Sequence, residues 1–230
     1  KGRVSIDMVR LTGPDFEYLD NRLLSLWLVK NSLTEVAMFG PDKQNVHASE
    51  FLYKKHILVV RASFRPPTNL EVDMIRKGFD QFRQEPGVDV AKTYVLTEIT
   101  LDNLRAGGAL DEKDFLDRTE LLCALGQTVI VSNCEAYQQL IAYLSDYKFQ
   151  HLGIVLRAHR LLEFLSEKYY ENMDGRLLAA FGEVFTRHVR MYVYPSHQEG
   201  SEELMMAKNL PVPEGFKFLY RHLLDNRHIV

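Results

Sequence analysis

The sequence predicts an α/β fold, a mainly parallel sheet of about seven strands joined by crossover helices. Two observations predict it. Short apolar runs alternate with amphipathic segments along almost the whole of the 230 residues. The amphipathic segments have helical length, and strands separated by helices pair in parallel through right-handed crossovers. Two closures suit this order, a doubly wound Rossmann-like open sheet and a (β/α) barrel. Fully apolar strands such as "HILVV" favour the open sheet, whereas Asp7 in "SIDMV" and Glu98 in "LTEIT" are strand charges that suit a barrel.

The elements follow in order. "VSIDMVRL" reads as a strand and "GPDFEYLDNRLLSLWLVKN" as a helix with a Pro-Asp start. "TEVAMFG" is a second strand, followed by a turn and the short helix "ASEFLYK". "HILVVRAS" is the third strand, and its helix ends near "FRQEPG". "TYVLTEIT" is the fourth, and "DEKDFLDRTELLCALG" is an amphipathic helix stopped by Gly126. "TVIVSN" with "CEAYQQLIAYLSDY", then "HLGIVL" with "RLLEFLSEKYYEN", repeat the unit. "DGRLLAAFGEVFTRH" leads into the last strand, "VRMYVYP". Residues 1–196 thus make the α/β domain, and residues 197–230 read as a polar linker and a proline-bounded C-terminal docking helix.

The totals exclude several classes. A net charge of -3 supplies no basic field to recruit nucleic acid. The apolar runs fall far short of a membrane span. Two cysteines make neither a disulfide framework nor a zinc site. Cys123 reads as a small core residue, while Cys134 stands at a helix start, where a thiol can be acidified. No signal peptide is visible, so the cytoplasm is the expected location. The abrupt start reads as a domain cut from a longer protein, with a missing N-terminal half or a second copy as the expected partner. The histidines show no H-E-x-x-H spacing, and no P-loop, G-x-S-x-G elbow or G-x-G-x-x-G is present.

Ligands of parallel α/β sheets bind beyond the carboxyl ends of the strands. Those ends carry Asp7 and Arg10, then Arg61, Ser63 and Arg65, then Glu98 and Thr100. Further along come Ser132 and Asn133, Arg157 and His159, and finally Tyr194 and His197. Arginine forks match phosphate oxygens, and a helix start adds free N–H groups. The charges also admit a second arrangement, in which Asp7 and Glu98 brace Arg61 or Arg10 internally.

The stretch Arg61–Asp73, "RASFRPPTNLEVD", resembles the first nucleotide-binding motif of the nucleotidylyltransferase superfamily, Gly-x-Phe-x-Pro-x-[His/Thr]-x-Gly-His between a strand and a helix. Phe64, Pro66 and Thr68 match; Ala62 and Leu70 replace the glycines, and Glu71 replaces the final histidine. The stretch follows the third predicted strand here, whereas the superfamily carries it after the first. More widely, segments such as "ASEFLYKKHILVVRASFRPPTN" and "EKDFLDRTELLCALGQTVIVSN" resemble the C-terminal half of a bacterial family. Its members are often labelled nicotinate-nucleotide (or nicotinamide-mononucleotide) adenylyltransferase, sometimes TonB-dependent receptor. The receptor label conflicts with a parallel α/β chain.

The resemblance implies adenylyl transfer from Mg²⁺-bound ATP to a mononucleotide. Together with the strand-end residues it makes Arg65 and Glu98 the expected catalytic groups, with Arg61, Ser63, Thr68, Asn133 and Arg157 expected to bind a small phosphorylated ligand. Asp7 and Glu98 would hold the metal. The replaced histidine implies a weakened or inactive site. The alternative is a non-catalytic interaction module, docking through Phe216, Phe218, Leu219, Tyr220 and Leu223.

Overall fold

The computed structural model describes residues 6–165, 177–185, 188–197 and 203–230. The tyrosine pair of "KYYENMDG" and residues 198–202 of the polar linker lie outside them. In chain order the main elements are α1 (Asn21–Lys30), β1 (Val36–Phe39), α2 (Ala48–Leu52), β2 (His56–Arg61) and α3 (Asn69–Phe82). Then come β3 (Thr93–Thr100), α4 (Leu101–Arg105), α5 (Glu112–Ala124), β4 (Thr128–Ser132) and α6 (Tyr137–Ser145). β5 (His151–Arg157), α7 (Ala158–Phe164), α8 (Leu177–Phe185) and β6 (Val189–Tyr194) follow. A two-stranded ribbon of β7 (Ser196–His197) and β8 (Leu204–Met205) precedes the last helix, α9 (Lys217–Asp225).

Among the described residues six strands, against the seven expected, form the main sheet in the order β1-β4-β3-β2-β5-β6. β1 runs antiparallel to β4 at one edge, and the other pairings are parallel. The chain lays β2, β3 and β4 side by side in one direction, then returns past β2 to lay β5 and β6 on its other side. β1 and β6 are edges of an open sheet, so the barrel closure is not formed. The result is a mostly parallel α/β sheet compatible with a Rossmann-like fold.

The expected first strand is the clearest departure. Residues 6–11 carry no strand. Side chains bond part of their backbone instead: Asn45 Nδ2 donates to the Val9 carbonyl at 3.1 Å, and Asn21 bonds both the N–H and the C=O of Leu11. Apolar alternation licenses an extended segment, but only a ladder partner makes it a strand.

Strand alternation splits the core in two. Ile57 and Val59 of β2 face one cluster, with α2, α6, α7, α8 and α9. Leu58 and Val60 face the other, with α1, α3, α4 and α5. Each fully buried Leu, Val or Phe in these layers contributes about 1.5–3 kcal/mol relative to exposure. Helix ends follow sequence rules: Asp20 caps α1, Asp111 caps α5, and Thr100 caps α4 by accepting the Asn103 N–H at 3.1 Å. Gly126 stands just past α5 with φ 75°, where the sequence put the stop.

The C-terminal segment belongs to the same core. Met205, Leu210, Tyr220, Leu223 and Ile229 are buried with the sheet face that carries α6 and α7. The Tyr220 hydroxyl donates to the Ala207 carbonyl at 2.6 Å, and the N–H of Val193 donates to Val230 at 2.8 Å, so the chain's end runs along the β6 edge. Of the helix residues expected to dock elsewhere, Phe216, Tyr220 and Leu223 are buried in this chain and Phe218 is 85% exposed.

Candidate functional site

A crevice of about 370 Å³ opens beyond the carboxyl ends of β2, β3, β4 and β5, where the strand order reverses. Arg61 and Ser63 line it after β2, Asp102 and Asn103 after β3, Glu135 and Tyr137 after β4. Arg157, His159, Arg160 and Glu163 line it after β5. A second, more apolar cavity of about 770 Å³ lies against α3, β5 and β6, with Gly78, Val155, Tyr192 and Tyr194 in its walls. Arg157 and His159 border both.

At the crevice floor, Glu98 is fully buried and pairs with Arg61 through two bonds of 2.6 and 2.9 Å. The Ser132 hydroxyl donates to the same carboxylate at 2.6 Å. Arg61 also donates to the Glu135 carbonyl at 3.0 Å and lies over the Tyr137 ring at 4.4 Å. Glu98 is therefore an internal brace, which explains a carboxylate inside a strand of an open sheet. Bringing such a pair out of water is costly, so these hydrogen bonds are what make it tolerable.

At the start of α3, Glu71 accepts the Thr68 N–H at 2.9 Å and the Thr68 hydroxyl, closing a capping box. Its other oxygen accepts Arg157 Nη2 at 2.6 Å. The residue in the place of the superfamily histidine thus binds the helix terminus and an arginine. Farther along α3, Asp73 accepts the Tyr194 hydroxyl at 2.7 Å, tying β6 to the helix.

The other expected residues divide. Ser63 and Arg157 face the crevice with Arg61. Arg65 does not; it pairs with Asp114 at 3.6 Å, and its guanidinium lies so close to Gly107 that an added Cβ there would come within 2.5 Å of Nη1. Asn133 bonds Ser32 Oγ at 3.3 Å, toward β1, and is not among the lining residues. Asp7 is exposed in the irregular N-terminal segment, where its charge acts on the Tyr143 and Tyr147 hydroxyls. It is not brought to Glu98, so these two carboxylates do not fit a Mg²⁺ site. Among the described residues no group of three or more His, Cys, Asp or Glu is arranged to hold a metal. Burial pushes the Cys134 thiol up to about 12, with Glu98 adding to the rise, so it is not an acidified nucleophile.

Burial lowers His159 below its ordinary value, and the charges of Arg160 and Arg157 lower it further against the opposing Glu163. Its Nδ1 lies 3.2 Å from Ser196 Oγ. Asp102, Asn103, Glu135, Tyr137, Arg160 and Glu163 were not singled out as ligand contacts from the sequence. The strand-end rule reaches them when it is extended into the segment after each strand, which for all but Glu135 is the following helix.

No protein-family model, no curated protein and no solved structure matches the chain.

Proposed function

We propose that the chain is a doubly wound, Rossmann-like nucleotide-binding domain whose crevice takes a small phosphorylated ligand, ATP or a mononucleotide. The observation that carries this reading is topological. Among the described residues β2 is the first strand to pair in parallel, because residues 6–11 form no strand and β1 is the antiparallel edge. The Arg61–Asp73 stretch leaves β2 and enters α3 at the point where the strand order reverses, which is where such sheets bind ligands.

The crevice has the chemistry for the task. Arg157 and Arg160, which pair with Glu71 and Glu163, offer their remaining guanidinium N–H groups to phosphate oxygens, with His159 beside them, while Arg61 braces Glu98 below. The adjoining apolar cavity offers Val155, Tyr192 and Tyr194 to a base or sugar. Adenylyl transfer needs positive charge at the α-phosphate, and Glu71 adds a carboxylate there instead. Binding is therefore the function proposed, with transfer weak or lost. Mg²⁺ enters as the counter-ion of ATP and not through Asp7 or Glu98.

Thermal unfolding with Mg-ATP and with nicotinate mononucleotide, alone and together, tests this. A ligand at one hundred times its Kd adds about 2.7 kcal/mol to the folded state. The midpoint is expected to rise with ligand in the wild type and in Arg65→Ala, and not in Arg157→Ala. An unmoved wild-type midpoint at millimolar ligand overturns the reading.

A further inference from the structure

We infer that Arg118 is a positioning residue of the crevice, clamping two of its lining segments from beneath; this rests on the ligand reading above. Arg118 lies in α5 and is only 2% exposed, which is rare for an unsolvated guanidinium. Its Nη1 donates to the Ser63 carbonyl at 2.8 Å and to the Asn103 carbonyl at 3.3 Å. Its Nη2 pairs with Asp114, the same carboxylate that holds Arg65. Ser63 and Asn103 both line the crevice, one on the loop after β2 and one after β3.

Stability alone does not account for an arginine here. The neighbours Phe115 and Leu122 are fully buried, and an apolar residue of similar volume would pack among them without the desolvation cost of a charge. An apolar residue cannot, however, bond carbonyls from the β2–α3 loop and from α4 at once, and the guanidinium fork can. The backbone beside the clamp needs holding. Phe64 has φ 46°, a left-handed conformation that bulky residues rarely adopt, and its ring is fully buried. Anchoring the ring below and the Ser63 carbonyl beside it fixes the loop that presents Arg61 and Ser63 to a ligand.

Hydrogen exchange by mass spectrometry tests the clamp together with Mg-ATP affinity, in Arg118→Met, Arg118→Lys and Leu122→Ala. Leu122→Ala serves as the control for general loss of stability on the same helix. Arg118→Met is expected to speed exchange at residues 63–65 and 103–106 roughly tenfold, with the strands unchanged, and to weaken Mg-ATP binding about fivefold. Arg118→Lys, which keeps the charge but reaches one carbonyl, should fall between, and it carries the test alone if the methionine variant does not fold. Leu122→Ala should lower the unfolding midpoint without singling out these segments. Unchanged exchange at both segments in a folded Arg118 variant, or equal acceleration in Leu122→Ala, overturns the inference. A wild-type chain that binds no nucleotide contradicts the ligand reading, while the exchange pattern still decides the clamp.

Discussion

Individual side chains set the local chemistry, and two clusters make this quantitative. Removing Arg61 would leave the fully buried Glu98 carboxylate with only Ser132. Arg61→Ala is therefore expected to cost about 3–5 kcal/mol, whereas Arg61→Met combined with Glu98→Gln should cost clearly less, because no charge is stranded. Urea denaturation of the three proteins checks the order. At the other end of the strands, His56 Nδ1 and His151 Nδ1 stand 3.0 Å apart, and the His188 ring lies 5.9 Å from that of His151. Only one of the two facing nitrogens carries a proton. Burial lowers His56 and His151 below the ordinary 6.5, with Asp89 opposing and Lys92 assisting at His56, and with His56 and His188 assisting at His151. The unfolded chain then binds more protons than the folded one below about pH 6.5, so stability is full above that pH and falls as acid is added, down to the folded-state values. The unfolding midpoint should drop between pH 7 and pH 5, and His56→Gln should flatten that slope. A slope unchanged by the substitution would remove the histidine pair as its cause.

Elements show where local pattern suffices and where it does not. The alternation of apolar runs marks most of the described helices and each of the six strands of the main sheet, because burial on both faces writes a signal into each strand, but it misses the short α4 directly after β3. It also marks "VSIDMVRL", whose described residues 6–11 have the pattern but form no strand. Against the nucleotide motif Glu71 stands where a histidine is expected, but Thr68 and Glu71 also have capping-box spacing, which is the arrangement they adopt. α3 illustrates a balance that the sequence hides. Gly78 lies inside this helix, and alanine there would gain about 1 kcal/mol of helix propensity. Its Cβ would come 2.4 Å from Val155 Cγ2 on β5, and overpacking of that kind costs about 1–3 kcal/mol. Gly78→Ala should thus lose stability on balance, and adding Val155→Ala should cost less than the two single changes summed. Thermal denaturation of the single and double variants measures that coupling.

At the scale of the molecule, strand order is what the sequence could not supply. Order depends on which strands meet, and alternation is blind to it; the reversal at β2, which makes the crevice, became visible only in the sheet. The site was legible in part for the same reason. Arg61, Ser63 and Arg157 share one crevice because their strands are neighbours, while Asp7 follows no strand and Arg65 is drawn to Asp114. The C-terminal helix likewise reads as a free amphipathic segment until its apolar face is found covering the sheet. Deleting residues 203–230 would uncover Tyr220's and Leu223's partners in the core and the β6 edge, so the shortened chain should lose its cooperative unfolding transition. The central claim, a phosphorylated ligand held at the strand-order reversal, is tested most directly by following backbone amide resonances during titration with Mg-ATP. The account predicts shifts concentrated at residues 61–64, 100–106, 135–137 and 157–163. Shifts confined to another surface, or none at millimolar ligand, would contradict it.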